Sequence, residues 1–282
     1  MTLGTTGESL TLANGQNLAV TSVTGNTVNF GTGTYSSSVV FAAGSATNTV
    51  TLGSGSDSVD LSAATGSNTV NATSTTLNSG DVLKGGSGTD TLALSGGGTI
   101  DLNTPTTAIT GFEKVTTDNT VTTLTLENGA TLAVTLGNTT GTASTVTGGT
   151  GAANATVTLN TGAATVNLSA GSGSNTVNAT IGTGATLLAT DSLSGGSGLT
   201  DTLAISGDSG SFDLNSLAGF SGFENVNLTG TGDSLTLKNG QNLTVAGGSG
   251  NTITLGTGSP ADTINFISGT NTVNLTSAQL PS

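Results

Sequence analysis

The residues of this chain with the most chemistry in them are carboxylates that follow glycine-rich turns. Gly85-Gly86-Ser87-Gly88-Thr89-Asp90 is the clearest case. Gly195-Gly196-Ser197-Gly198 leads to Asp201 with one residue inserted, and Gly53-Ser54-Gly55-Ser56 leads to Asp57. Gly256-Thr257-Gly258 reaches Asp262 with two residues inserted. Asp81 and Asp191 lie nine and ten residues upstream of Asp90 and Asp201. Two kinds of chemistry are open to such corners. Glycine carbonyls turned inward, with the carboxylate, would offer a hard cation oxygens at ~2.3–2.6 Å. The same carboxylate can instead accept backbone N–H groups and cap its turn. Asn68, Asn175 and Asn251 stand where an acid would otherwise be. They keep an oxygen but no charge, so cation affinity falls, and stacked amides can form a ladder without metal.

Composition removes many other chemistries. The 282 residues contain no His, no Cys, no Trp and no Arg. Nucleophile–imidazole pairs, disulfides and the usual zinc and iron ligand sets are therefore excluded. Sixteen acids against three bases (Lys84, Lys114 and Lys238) give a net charge of −13, which does not suit a phosphate backbone, so nucleic acid is not an expected partner. No apolar run approaches ~18 residues, so no membrane insertion is expected. Met1–Glu8 has neither a basic nor an apolar region and does not read as a cleavable secretory signal.

The elements that must position these corners are short and repeated. Leu10-Thr-Leu-Ala-Asn-Gly returns at Leu124 and again at Leu235, and Gly111-Phe-Glu-Lys-Val115 returns as Gly222-Phe-Glu-Asn-Val226. This gives modules of about 111 residues: 8–121, 122–232 and a partial third at 233–282. Runs of three to five alternating residues, such as Thr27-Val-Asn-Phe30, recur roughly every nine to twelve residues between Gly, Ser, Asn and Asp. No apolar stripe of helical period persists. A turn near 214–220 is the best helical candidate. Small aliphatics and few aromatics suit a narrow roll better than a sandwich core ~10 Å thick. The expected fold is all-β: one parallel β-solenoid over 1–282, of about fourteen coils if each takes ~20 residues.

The Gly85–Leu92 phrase follows the pattern G-G-x-G-x-D-x-U-x, where U is a large aliphatic. It resembles the RTX nonapeptide repeat, whose rolls bind calcium. That resemblance implies calcium as cofactor, with Gly85, Gly86, Gly88, Asp90, Asp81, Gly195, Gly196, Gly198, Asp201, Asp191 and Asp57 around it. The longer stretches, Asp81–Val115 and Asp191–Leu228, look like modules of RTX-type surface-layer proteins and large repetitive adhesins. They cover under a third of the chain. Within them Phe112 and Phe223 are expected to plug the core. Glu113 and Glu224 are either ligands, solvent-facing residues or turn caps. The resemblance further implies type I secretion to a bacterial cell surface and folding on meeting external calcium.

Structural and binding classes remain. The leading expectation is a non-enzymatic, calcium-stabilised surface-layer or matrix subunit that self-associates into a lattice or filament. The alternative is a stalk or binding module of a secreted adhesin, for which cell-surface polysaccharide is the partner considered. Ice binding would need regular outward Thr-x-Thr rows, yet most strands read Thr-Val-Asn. Carboxylate-only glycosidase chemistry lacks its usual basic and aromatic companions here.

Overall fold

In a computed structural model, residues 1–13, 19–104, 109–198, 200–258, 262–266 and 269–275 are described. The chain is an all-β parallel solenoid of about 12 turns. Its strands are two to five residues long. Among the described residues the helical content is a single 3-10 turn, Leu214–Ser216, inside the segment expected to turn. Asp213 caps it by accepting from the Asn215 N–H.

The chain packs as two compact units: Met1–Glu127 with Leu132–Gly137, and Asn128–Thr131 with Asn138–Ser282. In the first unit, Ser9–Thr11, Thr27–Asn29, Thr49–Thr51, Thr69–Thr73, Thr91–Ser95, Lys114–Thr117 and Leu132–Thr135 stack as neighbours in one sheet. Register follows the pattern of the strands. Val28 lies on Val50, Val50 on Val70, Val70 on Leu92, and Leu92 on Val115. All five are at most 1% exposed. The second unit repeats the column with Val157, Val177, Leu203, Val226 and Val245. β-Branched residues favour extended backbone, and one apolar residue between two polar ones sends the apolar one inward. A narrow interior is filled by such single columns.

One feature is common to both units. Most coils carry two strands, but the coils of the two longest repeated phrases carry three. In the first unit, Gly98–Asp101 and Ile109–Thr110 lie between Thr91–Ser95 and Lys114–Thr117. Ile109–Thr110 pairs back to Val82–Lys84 and ends that sheet, while Gly98–Asp101 pairs forward to Val121–Thr125 and starts a new one. The second unit does the same. Gly219–Ser221 closes on Ser192–Ser194, and Ser211–Asp213 opens toward Ser234–Thr236. Each repeated phrase thus transfers the second face of the roll from one sheet to another. Gly96, Gly97 and Gly98, all with φ near +80°, make the corner in the first unit, a conformation that a side chain would strain. The long coils help to explain why the turns are fewer than a uniform ~20-residue coil predicts.

The aromatic plugs lie as expected. Phe112 and Phe223 are buried, and Phe223 stacks on Phe220 with ring centroids 5.0 Å apart.

Candidate functional site

Polar residues gather at the corners that precede the strands, most of them buried, and they form columns. In the first unit the column before the main sheet runs through Asn26, Asn48, Asn68, Asp90 and Glu113. Each side chain accepts from the backbone of the coil before it. Asn26 Oδ1 takes the Glu8 N–H at 2.7 Å, and Asn48 Oδ1 takes that of Gly25 at 2.7 Å. Asn68 Oδ1 takes the Asn48 N–H at 3.1 Å and its Nδ2 at 2.7 Å. Asp90 Oδ1 takes the Asn68 N–H at 2.8 Å and its Nδ2 at 2.6 Å. Glu113 Oε2 then takes the Asp90 N–H at 2.8 Å. In the second unit Asn175 caps Ala155, Asp201 caps Asn175, Glu224 caps Asp201, and Asp262 caps Leu243.

The corners on the other side carry columns of their own. Asp57 Oδ1 accepts from the Ser37 N–H at 3.0 Å, and Asp81 Oδ1 accepts from the Asp57 N–H at 2.7 Å. Asp191 Oδ1 accepts from Ala164 at 2.8 Å. Asp233 accepts from Gly210, Asn251 from Asp233, and Asn271 from Asn251. Asp81 therefore meets Asp57 rather than Asp90, and Asp191 stands in a different column from Asp201.

The second carboxylate oxygen also follows a rule. Oδ2 of Asp57, Asp81, Asp90, Asp191 and Asp201 accepts an N–H from its own turn, given by Gly53, Asn78, Gly86, Leu188 and Gly196 respectively. Each carboxylate thus ties its own turn together with one oxygen and the previous coil with the other. All five side chains are at most 1% exposed. Glycine fills the turns because the coils touch there. A Cβ on Gly85 would stand 1.8 Å from Gly111 O, and one on Gly195 would stand 1.9 Å from Gly222 O. Gly86, Gly88 and Gly198 approach the carbonyls of Ala64, Gly66 and Gly173 in the same way, and Gly196 approaches that of Gly171.

This donor set does not fit calcium as it stands. A hard cation needs six to eight converging oxygens, whereas N–H groups point at both oxygens of Asp90 and of Asp201. Among the described residues no three acidic side chains converge on one point. The electrostatics agree with capping in a dry corner. Burial, to which the Asp57 charge adds, pushes the Asp81 carboxyl up to about 6. Burial also raises Asp57 and Asp191, against the N–H bonds that lower them.

Glu113 and Glu224 act as turn caps, and Glu113 is at the same time solvent-facing, so two of the three roles considered meet in it. Sequence reasoning overlooked Asn26, Asn48 and Asp233 as column members. Their signal is the same as that of Asn68: a polar carbonyl or carboxyl residue directly before a Thr-Val or Ser-Leu strand start, as in Gly25-Asn26-Thr-Val28 and Gly232-Asp233-Ser-Leu235. Within each unit the corner columns are runs of polar side chains bonded to backbone, with the chemistry of a scaffold. No family model, curated protein or solved structure matches the chain.

Proposed function

We propose that this chain is a structural protein of the cell exterior, a self-associating component of a surface layer or extracellular matrix fibre. One observation carries the reading. Buried acids, which in an enzyme would be available to substrate, are here bound through both oxygens to backbone N–H groups of their own and the preceding coil. Low charge density and the absence of Cys add to it: the fold is held by coil-to-coil bonding that needs neither disulfides nor a large core. The reading assigns no reaction. It places the protein outside the cell because the repeated phrases resemble those of secreted surface proteins. The roll does not require calcium in this reading, since N–H donors already occupy the corner oxygens.

Light scattering and negative-stain microscopy of the purified chain over a concentration series, with and without chelator, test it. The expected result is ordered sheets or fibres that grow with concentration. A strictly monomeric, fully folded protein at high concentration would overturn self-association and favour a spacer within an adhesin.

A further inference from the structure

Asp233 breaks the rule that the other buried aspartates keep. Its Oδ1 accepts from the Gly210 N–H at 2.8 Å, and its own N–H donates to Asn251 Oδ1 at 2.9 Å, so it is a proper member of its column. Its Oδ2 has no hydrogen-bond partner, although the residue is 1% exposed. In the corners of Asp57, Asp81, Asp90, Asp191 and Asp201 the corresponding oxygen receives a backbone N–H. Here no N–H reaches it, and the carbonyl that also lies near Oδ2 in the corners of Asp57, Asp90 and Asp201 is left as its neighbour. A Cβ built on Gly230 would stand 2.1 Å from Asp233 Oδ2 and 1.6 Å from Gly207 O, so the two oxygens share one small space. Two acceptors cannot face each other in a dry corner without a hydrogen between them. A buried, unpaired carboxylate oxygen is among the costlier things a fold can contain.

We propose that Asp233 is held as the un-ionised acid in the folded protein and donates its proton to the Gly207 carbonyl, closing with a proton the corner that elsewhere is closed by an N–H. The surroundings favour the neutral form. The Asp208 carboxylate on the preceding coil is the charge that acts on Asp233, and it opposes ionisation. The residue stacked on Asp233 from the following coil is the uncharged Asn251. Burial works in the same direction, against the one N–H bond from Gly210. A cation in the proton's place would need more oxygens than the two that meet here. The consequence is a corner that reads pH. It is closed in acid and opens as Asp233 gives up its proton, leaving two oxygens in mutual repulsion.

Difference infrared spectroscopy of the full chain against Asp233→Asn tests this at about pH 6, above the usual carboxylate range. The expected result is the loss in the variant of one un-ionised carboxylic-acid band. The band in the parent disappears as pH rises, and the difference in Tm between parent and variant changes with the same midpoint. Asp233→Asn should lose the part of the fall that follows this band, because its amide nitrogen donates to Gly207 O at every pH, while the part due to Asp81, Asp57 and Asp191 stays. An ionised carboxylate band in the subtraction overturns the proposal. If that ionised band comes with a Tm that falls on adding chelator, a bound cation occupies the corner instead. Should Asp233→Asn fail to fold, Asp233→Ser gives the same subtraction, since it also removes the carboxyl group.

Discussion

Glu113 and Asp90 are joined across a coil by two reciprocal bonds: the Asp90 N–H donates to Glu113 Oε2 at 2.8 Å, and the Glu113 N–H donates to Asp90 O at 3.2 Å. Glu224 and Asp201 repeat the first at 2.9 Å. The Gly-Phe-Glu phrase therefore has a two-part task. Its Phe enters the core and its Glu satisfies the backbone of the coil before. Glu113→Ala should destabilise the protein by about 1 kcal/mol, the usual value of a lost capping acceptor. Glu113→Gln, which keeps an acceptor oxygen, should cost less than half of that. Urea unfolding of the three proteins decides it, and equal losses for both variants would contradict the capping role.

Asn68 sits between two column members, accepting from Asn48 and donating to Asp90. Asn68→Ala leaves buried groups unpaired and should cost roughly 2–3 kcal/mol. Asn68→Asp should be worse at pH 7, because it places a second carboxylate against Asp90 and removes the amide donor. The gap between the two variants should narrow in acid, as the new carboxylate is protonated. Thermal melts at pH 4 and pH 7 measure that gap.

Asp81 sets a pH dependence whose sign is fixed by its raised value. A carboxyl with a higher pKa folded than unfolded binds its proton more tightly in the native state. Its contribution is fully present below the unfolded value and is lost as pH rises through about 6. Asp57 and Asp191 shift in the same direction. Stability should therefore fall between about pH 4 and pH 7, and Asp81→Asn should flatten part of that fall. A Tm that rises over this interval in the parent would contradict the raised values, since the half-buried acids Asp60 and Asp118, which shift the other way, act at lower pH.

Metal removal should leave the fold intact. With the oxygens of Asp90 and Asp201 engaged by N–H groups, far-UV circular dichroism and Tm should be the same in chelator and in millimolar calcium. The tight corner itself should be fragile. Gly85→Ala brings a methyl within 1.8 Å of Gly111 O and should cost about 3 kcal/mol or more, in chelator and calcium alike. A calcium-dependent rise in Tm that disappears in Asp90→Asn would show that calcium displaces these donors.

Much of the architecture could be read from residue order, and the reasons are local. Thr69-Val70-Asn71 alternates at period two and is bounded by Gly and Asn, which suffices to make it a strand with Val70 inside. The short turn at Leu214–Ser216 and the buried Phe112 and Phe223 follow from equally local cues. What escaped depends on coils meeting. Asn68 and Asp90 are 22 residues apart, and Asn175 and Asp201 are 26 apart, so whether a carboxylate faces N–H groups or carbonyls is decided by stacking register. The third strand of the long coils was hidden for a similar reason. Ile109–Thr110 is two residues long and owes its place to Val82–Lys84 beneath it.

The side-chain oxygens of the corner columns point one way, because each accepts from the backbone of the coil before it. The amide groups capped in this way therefore stay unsatisfied until roughly the next twenty residues have folded onto them. During synthesis the earlier part of the chain must wait for the later part, and stabilisation travels backward toward the N-terminus as elongation moves forward. Mechanical or chemical damage to one coil should likewise loosen the coil that precedes it more than the one that follows. The roll is in this sense a ratchet, with its teeth set in the asparagines and aspartates of its corners.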